Sequence, residues 1–199
     1  MGSMDVLDLR RARERLRRHA PSEGGPTGEG GPTAQAAVAT ILRNGDSGLD
    51  ALLIERARRA GDPWSGQLAF PGGKRDPGDE SLLATAVRET REEIALELEP
   101  AACLARLGDV VARTRDTRVA QFVFALDDGA ARIAVPNDEV TAILWVPLAR
   151  LAASEAHATF ALSTVQGTVE TPCVRLDERV LWGMTYRMAQ QLIQALAGV

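Results

Sequence analysis

Glu89, Glu92 and Glu93 are spaced i, i+3 and i+4, so on an α-helix they share one face. Like charges on one face repel, and something positive must sit among them. A hard divalent cation gives the strongest relief. Mg²⁺ and Mn²⁺ take oxygen ligands, keep several waters, and are natural partners of phosphorylated substrates. The flanks suit the same chemistry. Gly72 and Gly73 end an apolar stretch and let the backbone come close to a ligand. Lys74 is the one lysine among 23 basic residues and supplies a point charge suited to phosphate. Arg88 and Arg91 interleave with the acids, and Glu80, eight residues before Arg88, is a candidate partner for it. Taken alone, "RETREE" also describes a solvated, salt-bridged surface helix. The glycine pair and Glu80 turn the reading toward a metal site.

Positioning such a face needs a helix with an apolar back. Residues 80–94 read as that helix, with Asp79 as N-cap after the Pro77–Gly78 turn and with Leu83, Val87 and Ile94 on a separate stripe. Before it, "AQAAVATILR" and "ALLIER" read as strands around the turn "NGDSG". "GQLAF" reads as a third strand, ended by Pro71, Gly72 and Gly73. After it, "LARLGDVVA" and "RVAQFVFAL" read as neighbouring strands, "AILWVPL" as another and "TFALSTVQGTVETPCVRL" as a hairpin. "LWGMTYRMAQQLIQAL" reads as a closing helix with Met184, Met188, Leu192 and Leu196 near-aligned. The expected class is α/β or α+β, in layers around a sheet.

Residues 5–19 read as a separate helix with Val6, Leu9, Ala12 and Leu16 on one stripe and a basic remainder. It is either a docked helix with a solvated face or a clamp for an anionic substrate. Residues 21–33, "PSEGGPTGEGGPT", read as a linker. The expected division is therefore 1–33, basic helix and linker, and 34–199, the catalytic body. On that division residues 4–33 are expected to be dispensable for chemistry. Met1 to Ser3 precede a second methionine and are set aside.

The 199 residues are 45% hydrophobic and 25% charged, with net charge −4 and a pI near 5.3. That composition suits a folded domain and argues against a nonspecific nucleic-acid or membrane-surface binder. No apolar run reaches spanning length and the N-terminus lacks an apolar signal core, so the expectation is cytoplasmic, without nucleic-acid or membrane partners. Cys103 and Cys173 match no metal-ligand spacing and read as free thiols.

The central segment resembles the Nudix box, G-x5-E-x7-R-E-U-x-E-E-x-G-U, where U is bulky and apolar. Glu80, Arg88, Glu89, Glu92 and Glu93 fall in its register. Three departures stand out. Gly73 is one residue too far from Glu80, read as an insertion in "KRDPGD"; Thr90 replaces an apolar residue; and Ala95 replaces the glycine. The resemblance implies a Nudix-type α/β/α sandwich around a mixed sheet. It also implies Mg²⁺- or Mn²⁺-dependent hydrolysis of a nucleoside diphosphate linked to X. Glu89, Glu92 and Glu93 would be metal ligands, with Arg88 and Glu80 as supports. Water would attack phosphorus, with the metal offsetting charge on the phosphate oxygens.

Upstream, "LLIERARRAGDPWSGQLAFPGGK" is similar to the element before the box in coenzyme A diphosphatases, L-L-T-x-R-(S/A)-x3-R-x3-G-x3-F-P-G-G. Leu52, Leu53, Arg56, Ala57, Gly66, Phe70, Pro71, Gly72 and Gly73 match, while Ile54 stands for the Thr and Asp62 for the second Arg. The closing helix resembles theirs too. Coenzyme A or a derivative is thus the first substrate expected, with Arg56, Gly72, Gly73 and Lys74 contacting it. ADP-ribose, a dinucleoside polyphosphate or a noncanonical NTP is the alternative. In several Nudix enzymes an acid in a loop before a late strand is the base. Glu139 in "PNDEV" is that candidate, ahead of Asp109 and Asp116. Trp64 is the best of three tryptophans for a ligand contact, Trp145 and Trp182 being more typical of core or rim, and His157 reads as a surface residue. The resemblance also allows a homodimer. A silent Nudix binding module is a different class of reading, but such modules lose box carboxylates and this chain keeps them.

Overall fold

The computed structural model describes residues 7–19, 34–59, 65–111, 117–126, 134–164 and 167–197. Its centre is β1 (Ala36–Gly45), which pairs antiparallel with β2 (Gly48–Arg56) through a tight turn and parallel with β6 (Arg118–Ala125). β5 (Cys103–Val111) runs antiparallel to β6. β3 (Leu68–Ala69) and β7 (Val140–Pro147) both pair with β2, and β4 (Gly72–Lys74) pairs with β1. The sheet is mixed, in the order β3-β2-β1-β6-β5 with β4 and β7 off that path. A smaller antiparallel sheet holds β8 (His157–Thr164), β9 (Gly167–Leu176) and β10 (Arg179–Trp182) in the order β10-β9-β8.

Side chains alternate between the two faces of a strand, and both faces of the main sheet are apolar. Ile41, Leu52, Ile54 and Phe124 pack with Ala86 and Ile94 of α2 (Leu82–Ile94). Leu42, Leu53 and Val123 pack on the other face with α1 (Leu9–Leu16) and α4 (Gly183–Ala197), joined by Leu148 and Leu151 of α3 (Leu148–Ala152). This is the expected α/β/α layering.

α1 docks through Leu9, Ala12 and Leu16, all buried in the same core as α4. Asp8 caps it by accepting from Arg11 N–H at 2.7 Å, and Leu9 N–H donates to Asn44 Oδ1 at 3.0 Å. Its remaining surface, with Arg10 and Arg13, is exposed. The docked-helix alternative describes it, and α1 is part of the body's packing.

Four local expectations change. Gly72–Lys74 is itself a strand, not the end of one. Helix α2 begins at Leu82, capped by Ser81, whose Oγ accepts from Ala84 N–H at 3.1 Å; Asp79 is not the cap. Leu181 and Trp182 end strand β10 before α4 begins at Gly183. His157 is half-buried, with its ring nitrogens 3.3 Å from Tyr186 Oη and 3.1 Å from Leu151 O, so it is not a surface residue.

Candidate active site

Asp79, released from capping, turns inward. Its carboxylate is 7% exposed and grips Arg88 at two points, Nε to Oδ1 at 2.9 Å and Nη2 to Oδ2 at 3.0 Å. Oδ2 also accepts from Thr85 Oγ1 at 2.8 Å and Asp76 N–H at 2.9 Å. The Arg88 guanidinium is the first reason this carboxyl lies well below the usual range. Glu80, expected beside Arg88, is exposed instead. Five residues, 74–78, separate Gly73 from Asp79, so Asp79 is the acid at the box spacing. The extra residue lies between that acid and Arg88, not in "KRDPGD" before it.

Arg88 gathers the rest of the cluster. It donates to Glu92 Oε2 at 2.9 Å and to Lys74 O at 3.1 Å, and lies 3.0 Å from Glu89 Oε1. Glu93 is 4% exposed and accepts from Gly72 N–H at 2.9 Å. Burial pushes its carboxyl up to about 7; the nearby charges of Glu89 and Glu139 add to this, while the Gly72 N–H and Arg56 oppose it. Burial raises Glu89 as well, against the pull of Arg88. Arg56, Glu89 and Glu139 therefore all lie within electrostatic reach of Glu93.

The glycines are required by space. A Cβ on Gly72, whose φ is 150°, would overlap the Ala37 carbonyl and Val38. A Cβ on Gly73 would overlap the Glu89 carboxylate. Two departures from the box also find reasons. Thr90 is buried with Oγ1 donating to Ala86 O at 2.7 Å, which satisfies its hydroxyl inside the apolar back of α2. Ala95 ends the helix with φ 52° and donates to Arg91 O at 2.9 Å, the left-handed cap geometry that glycine usually supplies.

Glu139 is 47% exposed and pairs with Arg59 at 3.1 Å. Its carbonyl accepts from Ala57 N–H at 2.7 Å, next to Arg56. Other candidates have partners of their own. Asp109 pairs with Arg106 at 3.2 Å. Trp145 is stacked under Arg43 at 4.1 Å and Trp182 packs edge-on against Phe160 at 5.2 Å. Asp62, Trp64 and Asp116 lie outside the described residues. Cys103 and Cys173 are free thiols. The sequence reading missed Asp79 as the partner of Arg88, and a count of five from Gly73 would have found it. It also missed Asn137 and Arg59, which carry no local signal.

Among the described residues, no three His, Cys, Asp or Glu side chains already converge as a metal cage. The reason is Arg88, which holds Glu89 and Glu92 while Glu93 turns to Gly72. The donor chemistry nevertheless fits a hard dication. It is all oxygen, and the buried Glu93 is repelled by Glu89 and Glu139. Among the described residues no helix is long and apolar enough to cross a membrane.

Comparison with known proteins agrees with this fold. Residues 33–165 match the NUDIX domain. The chain is 33% identical over 106 residues to Nudix hydrolase 3 of Caenorhabditis elegans, covering 52% of this chain and 44% of that protein. It thus spans less than half of that relative. It is 29% identical over 143 residues to an uncharacterized Nudix hydrolase, NudL, of Photorhabdus laumondii subsp. laumondii, covering 72% and 75% of the two chains. Among solved structures, a MutT/nudix family protein from Enterococcus faecalis aligns with TM-score 0.55 at 16% identity, covering 97% of this chain and 76% of that one. The NUDIX domain of Shewanella oneidensis NrtR, solved with ADP ribose, aligns with TM-score 0.53 at 18% identity, covering 87% and 95%. At such identities the structural likeness speaks for the fold alone. The sequence match over residues 33–165, with the glycine pair and the Arg88-centred carboxylate cluster inside it, places the chain in the NUDIX family.

Proposed function

We propose that this chain hydrolyses a phosphoanhydride bond in a nucleoside diphosphate linked to another group, with Mg²⁺ or Mn²⁺ held by Glu89, Glu92 and Glu93. The observation that carries the reading is the Glu93 carboxyl, hydrogen-bonded to Gly72 N–H and raised chiefly by burial, with the charges of Glu89 and Glu139 adding to it. When bound, the divalent ion would offset charge on the phosphate oxygens and lower the pKa of the attacking water.

The chain's own residues do the rest. Asp79 fixes Arg88 at two points, and Arg88 restrains Glu89 and Glu92 on the same face. The absence of Cβ atoms on Gly72 and Gly73 lets the Gly72–Lys74 strand lie close against β1 and the Glu89 carboxylate, which sets the strand beside the carboxylate face. Lys74 and Arg56 supply positive charge. Glu139 Oε accepts the proton of the attacking water once Arg59 yields it. The water oxygen then bonds to phosphorus as the bridging P–O bond breaks, and the leaving phosphate takes that electron pair.

For the substrate, the match of Leu52, Leu53, Arg56, Ala57, Gly66, Phe70, Pro71, Gly72 and Gly73 to the coenzyme A diphosphatase element favours coenzyme A or a derivative. Ile54 and Asp62 depart from that element, which keeps ADP-ribose, dinucleoside polyphosphates and noncanonical NTPs as the second reading. The test is a panel of coenzyme A, dephospho-coenzyme A, ADP-ribose, a dinucleoside tetraphosphate and NTPs with Mg²⁺ or Mn²⁺. Coenzyme A should be cleaved with the highest kcat/KM. A higher value for ADP-ribose would replace the substrate assignment while keeping the chemistry. No cleavage of any member would favour a silent binding module.

A further inference from the structure

The segment from Val135 to Glu139 lies across the C-terminal end of α2 as a strap. Val135 N–H donates to Ile94 O at 2.8 Å and Asn137 N–H to Glu93 O at 2.9 Å. The Asn137 side chain adds the third bond, Nδ2 to Glu92 O at 2.9 Å. The last carbonyls of a helix have no partners inside it, so these donors answer a need that any α2 would have. Two features go beyond capping. The carbonyls taken by Asn137 belong to Glu92 and Glu93. In addition, Asn137 Oδ1 accepts from Glu139 N–H at 2.8 Å. One amide thus joins the peptide of Glu139 to the helical turn that carries two of the proposed metal ligands. Glu139 is fixed on its other side by its carbonyl, which accepts from Ala57 N–H at 2.7 Å beside Arg56.

We infer that Asn137 is a positioning residue: it fixes Glu139 relative to Glu92 and Glu93, so that the base and the carboxylate face keep one geometry. This rests on the hydrolase reading above. Its physical content is orientation. Asn137 never needs to touch substrate, and losing it lets the Glu139 peptide move while the strap's backbone bonds to Ile94 and Glu93 remain available. Misplacing a catalytic group by about 1 Å is enough to cost on the order of 10²-fold.

The test compares Asn137→Ala with Asn137→Ser, whose hydroxyl can still accept from Glu139 N–H but is too short to reach Glu92 O. Amide hydrogen exchange of the full-length, metal-free protein comes first and needs no turnover. The Glu139 amide should exchange at least tenfold faster in Asn137→Ala and recover in Asn137→Ser. Unchanged exchange at Glu139 in the alanine variant would overturn the proposal whether or not the chain is a hydrolase. Kinetics come second, on whichever substrate the wild type cleaves. Asn137→Ala should lower kcat by roughly 10- to 100-fold with KM changed less than about threefold. In a Glu139→Gln background the same substitution should cost almost nothing more, because the two act as a unit. Full additivity would overturn the proposal. So would a Glu139→Gln variant with wild-type turnover, and loss of activity in Glu93→Gln would then show that the hydrolase reading itself survives.

Discussion

Asp79 and Arg88 meet as a two-point ion pair, Nε to Oδ1 at 2.9 Å and Nη2 to Oδ2 at 3.0 Å, on the flank of the carboxylate face. A planar guanidinium held at two points is restrained, and its other contacts reach Glu92, the Lys74 carbonyl and Glu89. Removing Asp79 leaves that cation without its main partner. Asp79→Ala should destabilise the protein by about 2–4 kcal/mol and lower turnover at least tenfold, while Glu80→Ala should stay within about 0.5 kcal/mol of wild type. Chemical denaturation of both variants checks this. Equal losses at the two positions would return the pairing role to Glu80.

The same pair sets an acid limit. Asp79 is held below the ordinary carboxylate value, chiefly by Arg88, so its folded form resists protonation. Its contribution is complete above about pH 4 and is lost only as pH falls further, through its lowered value. The pH of acid unfolding should therefore move up in Asp79→Asn.

Glu93 has the opposite sign. Its folded carboxyl is raised from 4.5 to about 7, chiefly by burial. The stability linked to its proton is complete below 4.5 and lost as pH rises through about 7. Without metal, Tm should fall between pH 5.5 and 8, and the fall should be smaller in Glu93→Gln. Mn²⁺ should raise Tm more at pH 8 than at 5.5, since binding displaces the proton. Equal Mn²⁺ stabilisation at both values, in wild type and variant alike, would place the ion elsewhere.

Ala95 sits at φ 52°, a conformation that suits glycine better than alanine. Ala95→Gly should stabilise the protein by about 0.5–1 kcal/mol, after the extra freedom of glycine in the unfolded chain is counted. Thermal unfolding should show a Tm higher by a few degrees with turnover unchanged. A lower Tm would mean that the cap is not strained.

Residues 4–33 read in the sequence as dispensable for chemistry; for stability, the packing of α1 points the other way. Leu9, Ala12 and Leu16 are buried with Leu192 and Leu196 in one core. Deleting residues 1–33 should destabilise the protein by roughly 3–6 kcal/mol from the two leucines alone. Substituting the exposed Arg10 and Arg13 by Gln should change stability by less than about 0.5 kcal/mol. A truncated chain as stable as the full one would show that α1 contributes no net packing energy.

The carboxylate face was legible because its information is local: an i, i+3, i+4 spacing is fixed by helix geometry wherever the helix lies. The apolar runs of β1, β2 and β6 were legible for the same reason. Strand β4 was not, because Gly-Gly-Lys has little strand preference and pairs with β1 through its backbone. Asp79 and Ser81 both qualify as caps for α2, and only Arg88, nine residues on, draws Asp79 away. Leu181 and Trp182 suit a strand or a helix, and β10 becomes visible only beside β9. Asn137 was beyond reach. Its bond to Glu92 spans 45 residues of sequence.

The most direct measurement is divalent-metal-dependent phosphate release from the substrate panel by wild type, Glu92→Gln and Glu93→Gln, with folding checked by circular dichroism. The wild type should turn over with Mg²⁺ or Mn²⁺ and stop in EDTA. Both variants should stay folded and lose on the order of 10²-fold or more in rate. Two folded variants with near-wild-type turnover would contradict the assignment of this helix as the metal-binding, catalytic face.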